Sequence, residues 1–294
     1  MKKVKKLSDA QQLALCNDFN LNAKNCLLEQ AQNGWICSKA QKRLCAQPDG
    51  VEILKVQAQN GDLSSCVQMD LFRRYRFDGL EILMIQAKQG KLHKKALKKI
   101  FELPNASDFS LAQAQKGKLS SEVQMMVLDL PEANEILLAQ AKAGCIRHWV
   151  SKLCALPNAA EIFLAQAQKG NLRFGGEMLA FELPNAEEIL LAASQTGYLS
   201  NDTQMKSFEL PCAAEIMLAQ AKQGALCEKA QVKSFKLHNA EAILTAQGTT
   251  SWLCIAAQVK VLDFVNAKEI LRHQLQLGVL CRDAQKKAVA LGLI

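Results

Sequence analysis

No Cys-x-x-Cys pair, no glycine-rich phosphate loop and no apolar run of membrane-spanning length occurs in this chain of 294 residues. Histidine is scarce as well, with only His93, His148, His238 and His273 in the chain. These absences exclude the common zinc modules and the nucleotide-binding fingerprints, and they leave no transmembrane segment to expect. The basic start, Met1-Lys-Lys-Val-Lys-Lys-Leu7, runs into Ser8-Asp9-Ala10-Gln11-Gln12 and not into a secretory apolar core. The eleven cysteines are odd in number. Reduced thiols in the cytoplasm are therefore expected, with cysteine used as a small buriable residue. With 49% apolar and 22% charged residues, and 36 Lys+Arg against 28 Asp+Glu for a net charge of +8, the composition is that of a soluble folded protein.

What is abundant is repetition. Glu52-Ile-Leu-Lys-Val-Gln-Ala-Gln-Asn-Gly61 returns as Glu135-Ile-Leu-Leu-Ala-Gln-Ala-Lys-Ala-Gly144 and as Glu215-Ile-Met-Leu-Ala-Gln-Ala-Lys-Gln-Gly224. The closing glycines, Gly34, Gly61, Gly90, Gly117, Gly144, Gly170, Gly197, Gly224 and Gly278, are 27 residues apart with small deviations, and Ser251 fills the one skipped place. Ten repeats result, and a fixed period of this length is the mark of a solenoid.

Each repeat reads as two short helices. An Asn or Asp stands three residues before an acid in Asp49/Glu52, Asp78/Glu81, Asn105/Asp108, Asn158/Glu161, Asn185/Glu188 and Asn266/Glu269, the pattern of a capping box at the start of the first helix. All six prolines lie immediately before such a cap position, where they stop the preceding helix. The recurring glycine is expected to supply the left-handed residue that ends the first helix. The second helix follows at once, as in Leu119-Ser-Ser-Glu-Val-Gln-Met-Met-Val-Leu-Asp-Leu130. Such pairs bury their apolar faces only by stacking. The expected fold is an all-α, right-handed α-solenoid of ten two-helix repeats. Residues 1–21 form an N-terminal capping helix in this reading, and 22–294 form one continuous solenoid domain. Two repeats break the count, one by the insertion in Phe72-Arg-Arg-Tyr-Arg-Phe77 and one by a deletion in Cys145-Ile-Arg-His-Trp-Val150, and each is expected to change local curvature.

In this organisation residues 22–291 resemble the two-helix solenoid superfamily that includes HEAT and armadillo proteins, although the 27-residue unit is shorter than those repeats. The resemblance implies a scaffold that binds extended partners along one face. A second resemblance is to the DNA-reading repeats of transcription-activator-like effectors, from which this chain departs in its shorter period and in having no second glycine after the turn.

Candidate positions follow from the register. One glutamine recurs four residues before the glycine: Gln30, Gln57, Gln86, Gln113, Gln140, Gln166, Gln220, Gln247 and Gln274, with Ala193 as the exception. It reads as a structural ladder satisfying backbone groups, or as a row of amides gripping a peptide. A second series, Gln41, Gln68, Gln124, Gln204, Gln231, Gln258 and Gln285, reads the same way. The junctions after the glycine hold Trp35, Lys91, Lys118, Tyr198 and Trp252, and nearby Arg147, His148, Trp149 and Arg173 add a basic-aromatic cluster; these are the partner-binding candidates. Nine residues after the glycine, Arg43, Lys99, Lys206, Lys233, Lys260 and Lys287 form a basic stripe, either phosphate-tracking or solvated and paired with an acid three residues on. No catalytic set, metal site or cofactor is expected. The expected function is non-enzymatic protein or peptide binding, with nucleic acid as the alternative partner, no membrane, and self-association through the apolar end Leu291-Gly-Leu-Ile294 as a further possibility.

Overall fold

The computed structural model describes residues 5–74, 78–147 and 151–292. Among them every regular element is helical. The chain divides into two compact units, Met1–His148 and Trp149–Ile294.

The first unit opens with α1 (Asp9–Asn17) and continues in pairs: α2 (Leu21–Gln32) with α3 (Ser38–Leu44), α4 (Gly50–Asn60) with α5 (Ser65–Arg74), α6 (Asp78–Lys88) with α7 (Lys94–Ile100), α8 (Ala106–Ala114) with α9 (Ser121–Val127), and then α10 (Ala133–Ala143). In the second unit α11 (Ser151–Cys154) precedes α12 (Ala159–Gln168) with α13 (Phe174–Ala180), α14 (Ala186–Thr196) with α15 (Asn201–Ser207), α16 (Ala213–Lys222) with α17 (Glu228–Ser234), α18 (Ala240–Thr250) with α19 (Ile255–Lys260), and α20 (Ala267–Gln276) with α21 (Arg282–Ala290). Within each unit the even-numbered helices pack on one another in sequence, and the odd-numbered helices form a second layer beside them. This is an all-α solenoid arrangement of helical repeats. The isoleucine and leucine of each first helix, for example Ile53 and Leu54 or Ile216 and Met217, are fully buried between neighbours. Each such side chain contributes about 1.5–3 kcal/mol through burial, so the stack is held by a repeated apolar pair.

The turns between the two helices differ from the uniform left-handed turn that the sequence suggests. Gly34, Gly90, Gly117, Gly170, Gly224 and Gly278 have φ of 66–72°, and the next residue's N–H reaches back to the glutamine carbonyl, as in Ala225 to Gln220 at 3.0 Å. That is the Schellman geometry. Gly61, Gly144 and Gly197 are instead extended, with φ of −151°, −141° and −162°. In these turns the helix keeps its ordinary bond up to the glycine, as in Gly61 N–H to Gln57 O at 2.7 Å. Ser251 occupies an extended turn, φ −153°, which any residue adopts. Hence the repeat tolerates serine there.

A left-handed turn and the following extended turn lie against each other. A Cβ added to Gly61 would stand 2.8 Å from the Gly34 Cα, and one added to Gly224 would stand 2.7 Å from the Ser251 Cβ. In the second unit the two turn types alternate strictly, so the structural period there is two repeats.

At four of the first helices the expected capping boxes do not form. Asp49, Asn105, Asn185 and Asn266 make no side-chain cap bond. Their backbone is turn-like (Asn105 φ −99°, ψ 25°) and not extended, so the side chain is not aimed at the first-turn amides. Side-chain caps appear mainly on the second layer: Ser200 accepts from Thr203 N–H, and Ser8 makes a full capping box with Gln11 on α1. The insertion at Phe72–Phe77 and the deletion at Cys145–Val150 fall largely outside the described residues, and so do the curvature changes expected of them.

Candidate functional site

The first glutamine series is buried throughout, at 0–2% exposure for Gln30, Gln57, Gln86, Gln113, Gln140, Gln166, Gln220, Gln247 and Gln274. The Oε1 of Gln220 accepts from Leu199 N–H at 2.9 Å, while its Nε2 donates to the carbonyls of Ser194 at 2.9 Å and Gly197 at 2.8 Å. Gln274 repeats these bonds toward Leu253, Gly248 and Ser251. In the extended-turn repeats Nε2 turns to its own repeat, as in Gln57 to Asp62 O and Gln247 to Trp252 O.

The second series is equally regular. Gln204 donates to Leu199 O at 3.0 Å and Ala225 O at 2.9 Å and accepts from Cys227 N–H at 2.9 Å. Gln41, Gln68, Gln124, Gln231 and Gln258 make the same three bonds. Gln12 of α1 continues this series into the N-terminal segment, donating to Leu7 and Trp35 carbonyls and accepting from Cys37 N–H. Gln285 is exposed. Both series thus stitch neighbouring turns together, and their amides face backbone and not solvent.

The junction residues lie at the surface. Tyr198 is 72% and Trp252 42% exposed, Trp35 is half-buried, and Lys91, Lys118, Arg147 and Arg173 are exposed. Lys91 is paired with Asp62 at 2.9 Å. His148 and Trp149 lie outside the described residues.

The basic stripe behaves differently in the two units. In the first, Lys99 pairs with Glu102 at 2.6 Å, as the spacing suggests, and Arg43 is exposed. In the second, Lys206, Lys233 and Lys260 place their ammonium groups over the rings of Phe181, Phe208 and Phe235 at 4.5, 4.7 and 5.1 Å from the centroids. Each ring belongs to the preceding repeat, so a cation–π contact aligns the row. The expected pairs Lys206/Glu209 and Lys260/Asp263 do not form. Lys287 is exposed.

Beside this row runs an apolar one that the sequence reading missed. Eight residues after the glycine stand Met178, Met205, Val232 and Val259, each half-buried or exposed. Between α15, α17 and α19, Met205 and Val232 open into a groove of about 630 Å³ lined also by Ile255 and Cys254 and edged by Lys229, Lys233, Lys236, Lys260 and one acid, Glu228. Ile255 is 67% exposed. A signal for it existed: the equivalent positions hold Ser38, Ser65, Lys94, Ser121, Asn201, Glu228 and Arg282, so Ile255 and Phe174 are apolar where other repeats are polar.

Among the described residues no cluster of three His, Cys, Asp or Glu side chains is arranged to hold a metal ion, and no helix is long and apolar enough to cross a membrane. No known protein family matches the chain, nor does any curated protein or solved structure.

Proposed function

We propose that the protein is a non-enzymatic helical-repeat scaffold that binds a protein or peptide partner on the second-layer face of its second unit. One observation carries this: an apolar Met/Val row with Ile255 exposed in a groove, flanked by four lysines that make no ion pair among the described residues and by a single acid, Glu228. The partner segment that complements it alternates apolar and acidic side chains. Methionine lets such a surface adapt to several sequences, and the lysines steer an acidic chain toward it. Tyr198 and Trp252 at the turns add anchors along the edge. This mode is in keeping with the likeness to HEAT and armadillo scaffolds. A reducing, cytoplasmic setting accords with eleven free cysteines.

Selection from a random peptide library on the full chain, with Val232→Glu/Ile255→Glu as the counter-target, tests the reading. Enrichment of acidic-apolar peptides that ignore the variant is the expected result. Enrichment of peptides that bind both proteins equally would overturn it.

The second reading, nucleic acid on the basic stripe, is favoured by the aligned ammonium groups of Lys206, Lys233 and Lys260. Anisotropy with random duplex DNA, single-stranded DNA and RNA separates the two. Phosphate contacts predict a steep fall of affinity with salt and its loss in Lys206→Glu/Lys233→Glu/Lys260→Glu. The exposed apolar side chains near the end of the second unit, Val289 at 61% and Leu291 at 60%, keep self-association as a further partner mode, checked by sedimentation.

A further inference from the structure

Both glutamine series fail together at one place among the described residues. In the second series the position of Gln204 and Gln231 is taken in the preceding repeat by Glu177, which is 3% exposed. Its Oε2 plays the glutamine oxygen's part, accepting from Ser200 N–H at 3.0 Å and from the Thr203 hydroxyl at 2.7 Å. Its Oε1 stands where a glutamine carries the donating NH₂, makes no hydrogen bond to a described residue, and is open to solvent. The two carbonyls that this NH₂ serves elsewhere correspond here to Leu172 and Tyr198, and neither accepts a hydrogen bond from a described residue.

The first unit holds the natural comparison. There Leu97 occupies the same position, and Gln113 of the following repeat swings its amide onto the equivalent carbonyls, Leu92 at 3.2 Å and Lys118 at 3.4 Å. The residue equivalent to Gln113 beside Glu177 is Ala193, the one exception in the first series. Ala193 cannot donate, and it also leaves Leu172 N–H without the glutamine oxygen that its counterpart Leu199 N–H enjoys. At this double break an N–H, two carbonyls and a carboxylate oxygen lack the protein partners that the glutamines supply elsewhere, which leaves them to solvent or to a ligand.

The space for one is present. A pocket of about 460 Å³ is lined by Leu172, Glu177, Ala193 and Tyr198, with Phe174 and Arg173 also on its wall, a size within the ordinary range for small-ligand sites. Phe174 and Tyr198 are 56% and 72% exposed, so two aromatic side chains stand at its rim. We infer that this pocket binds an organic cation, an ammonium or guanidinium group whose N–H donors replace the missing glutamine amides between Glu177 Oε1 and the carbonyls of Leu172 and Tyr198. The aromatic rim favours an organic cation over a bare metal ion. Leu172 N–H and Arg173 meet an acceptor elsewhere on the ligand.

Such a group is carried either by a free metabolite or by a lysine or arginine of a peptide. Calorimetric titration of the full chain with agmatine, L-arginine and an acetylated, amidated Gly-Arg-Gly peptide distinguishes these sources. Binding of at least one probe is expected, with the tighter class naming the source. Glu177→Gln restores the donor and is expected to weaken binding by about tenfold or more, as loss of a charge-assisted bond does, while raising Tm by about 2 °C or more. Ala193→Gln fills the pocket and is expected to abolish binding with Glu177 still present. If no probe binds wild type, if both variants bind as wild type does, or if calcium binds in place of every organic probe, the assignment is wrong.

Discussion

At the scale of single residues the protein relies on buried carboxamides that bond backbone groups of neighbouring repeats. Gln220 holds three backbone groups of the preceding repeat, so Gln220→Ala removes three bonds and leaves their partners unsatisfied. A loss of about 2–4 kcal/mol is expected in urea unfolding. Gln195→Ala, at an exposed position of the preceding first helix, is the matched control and should change the midpoint little. A cost below about 0.5 kcal/mol for Gln220→Ala would show that solvent replaces the ladder readily. Cysteine behaves as a packing residue here: burial, with the neighbouring Cys37 adding to it and Arg43 opposing, pushes the Cys16 thiol up to about 11. At pH 8 Cys16 is therefore protonated and shielded, and the exposed Cys66 should react with a thiol reagent at least tenfold faster, as read by mass mapping of the labelled sites.

The scale of elements is set by the two kinds of turn. The repeat, the helix pairs and the buried Ile-Leu positions were legible in the sequence because spacing alone records them. The alternation of turns was not, because glycine serves a left-handed turn and an extended one equally well. Ser251 was the one trace of it, and its meaning emerges only with φ. Caps were misread for a related reason: Pro-Asn-Ala spells a cap in sequence, but the turn-like backbone at Asn105 and Asn185 turns the side chain away from the amides. The turn account separates glycines that look alike. Gly224→Ala meets both a φ of 68° and the Ser251 Cβ, so it should cost more than the ~1–2 kcal/mol of left-handed backbone alone. Gly278→Ala, with φ 70° and nothing within 4 Å, should cost about that backbone amount. Gly197→Ala, extended and with its nearest neighbour at 4.0 Å, should be nearly neutral. Equal unfolding midpoints for the three variants would contradict the distinction.

For the whole molecule, repetition does two jobs. Within each unit it builds a stack from recurring interlayer bonds, and it lines up the positions those bonds leave free. Sequence drift at the free positions is where function is to be read: Tyr198 and Trp252 were visible as large residues at turns, whereas Ile255 and the Met178–Val259 row needed the layer geometry to be recognised as outward-facing. Lys206, Lys233 and Lys260 were visible in the sequence as one recurring basic position, but the phenyl rings beneath them became evident only when successive repeats were placed on one another. The same logic finds the double break at Glu177 and Ala193. Each substitution alone looks like ordinary drift, and their meeting across a repeat boundary is a structural fact.

The central claim is that the apolar row, and not the basic one, provides most of the partner affinity. The most direct measurement is the anisotropy of a selected acidic-apolar peptide titrated with wild type, Val232→Glu/Ile255→Glu and Lys206→Glu/Lys233→Glu/Lys260→Glu at about 50 and about 200 mM salt. The account predicts a loss of about tenfold or more in the apolar double variant, a smaller loss in the lysine variant, and a shallow dependence on salt. Affinity that survives the apolar substitutions but collapses with salt and with the lysines would place recognition on charge alone and contradict it.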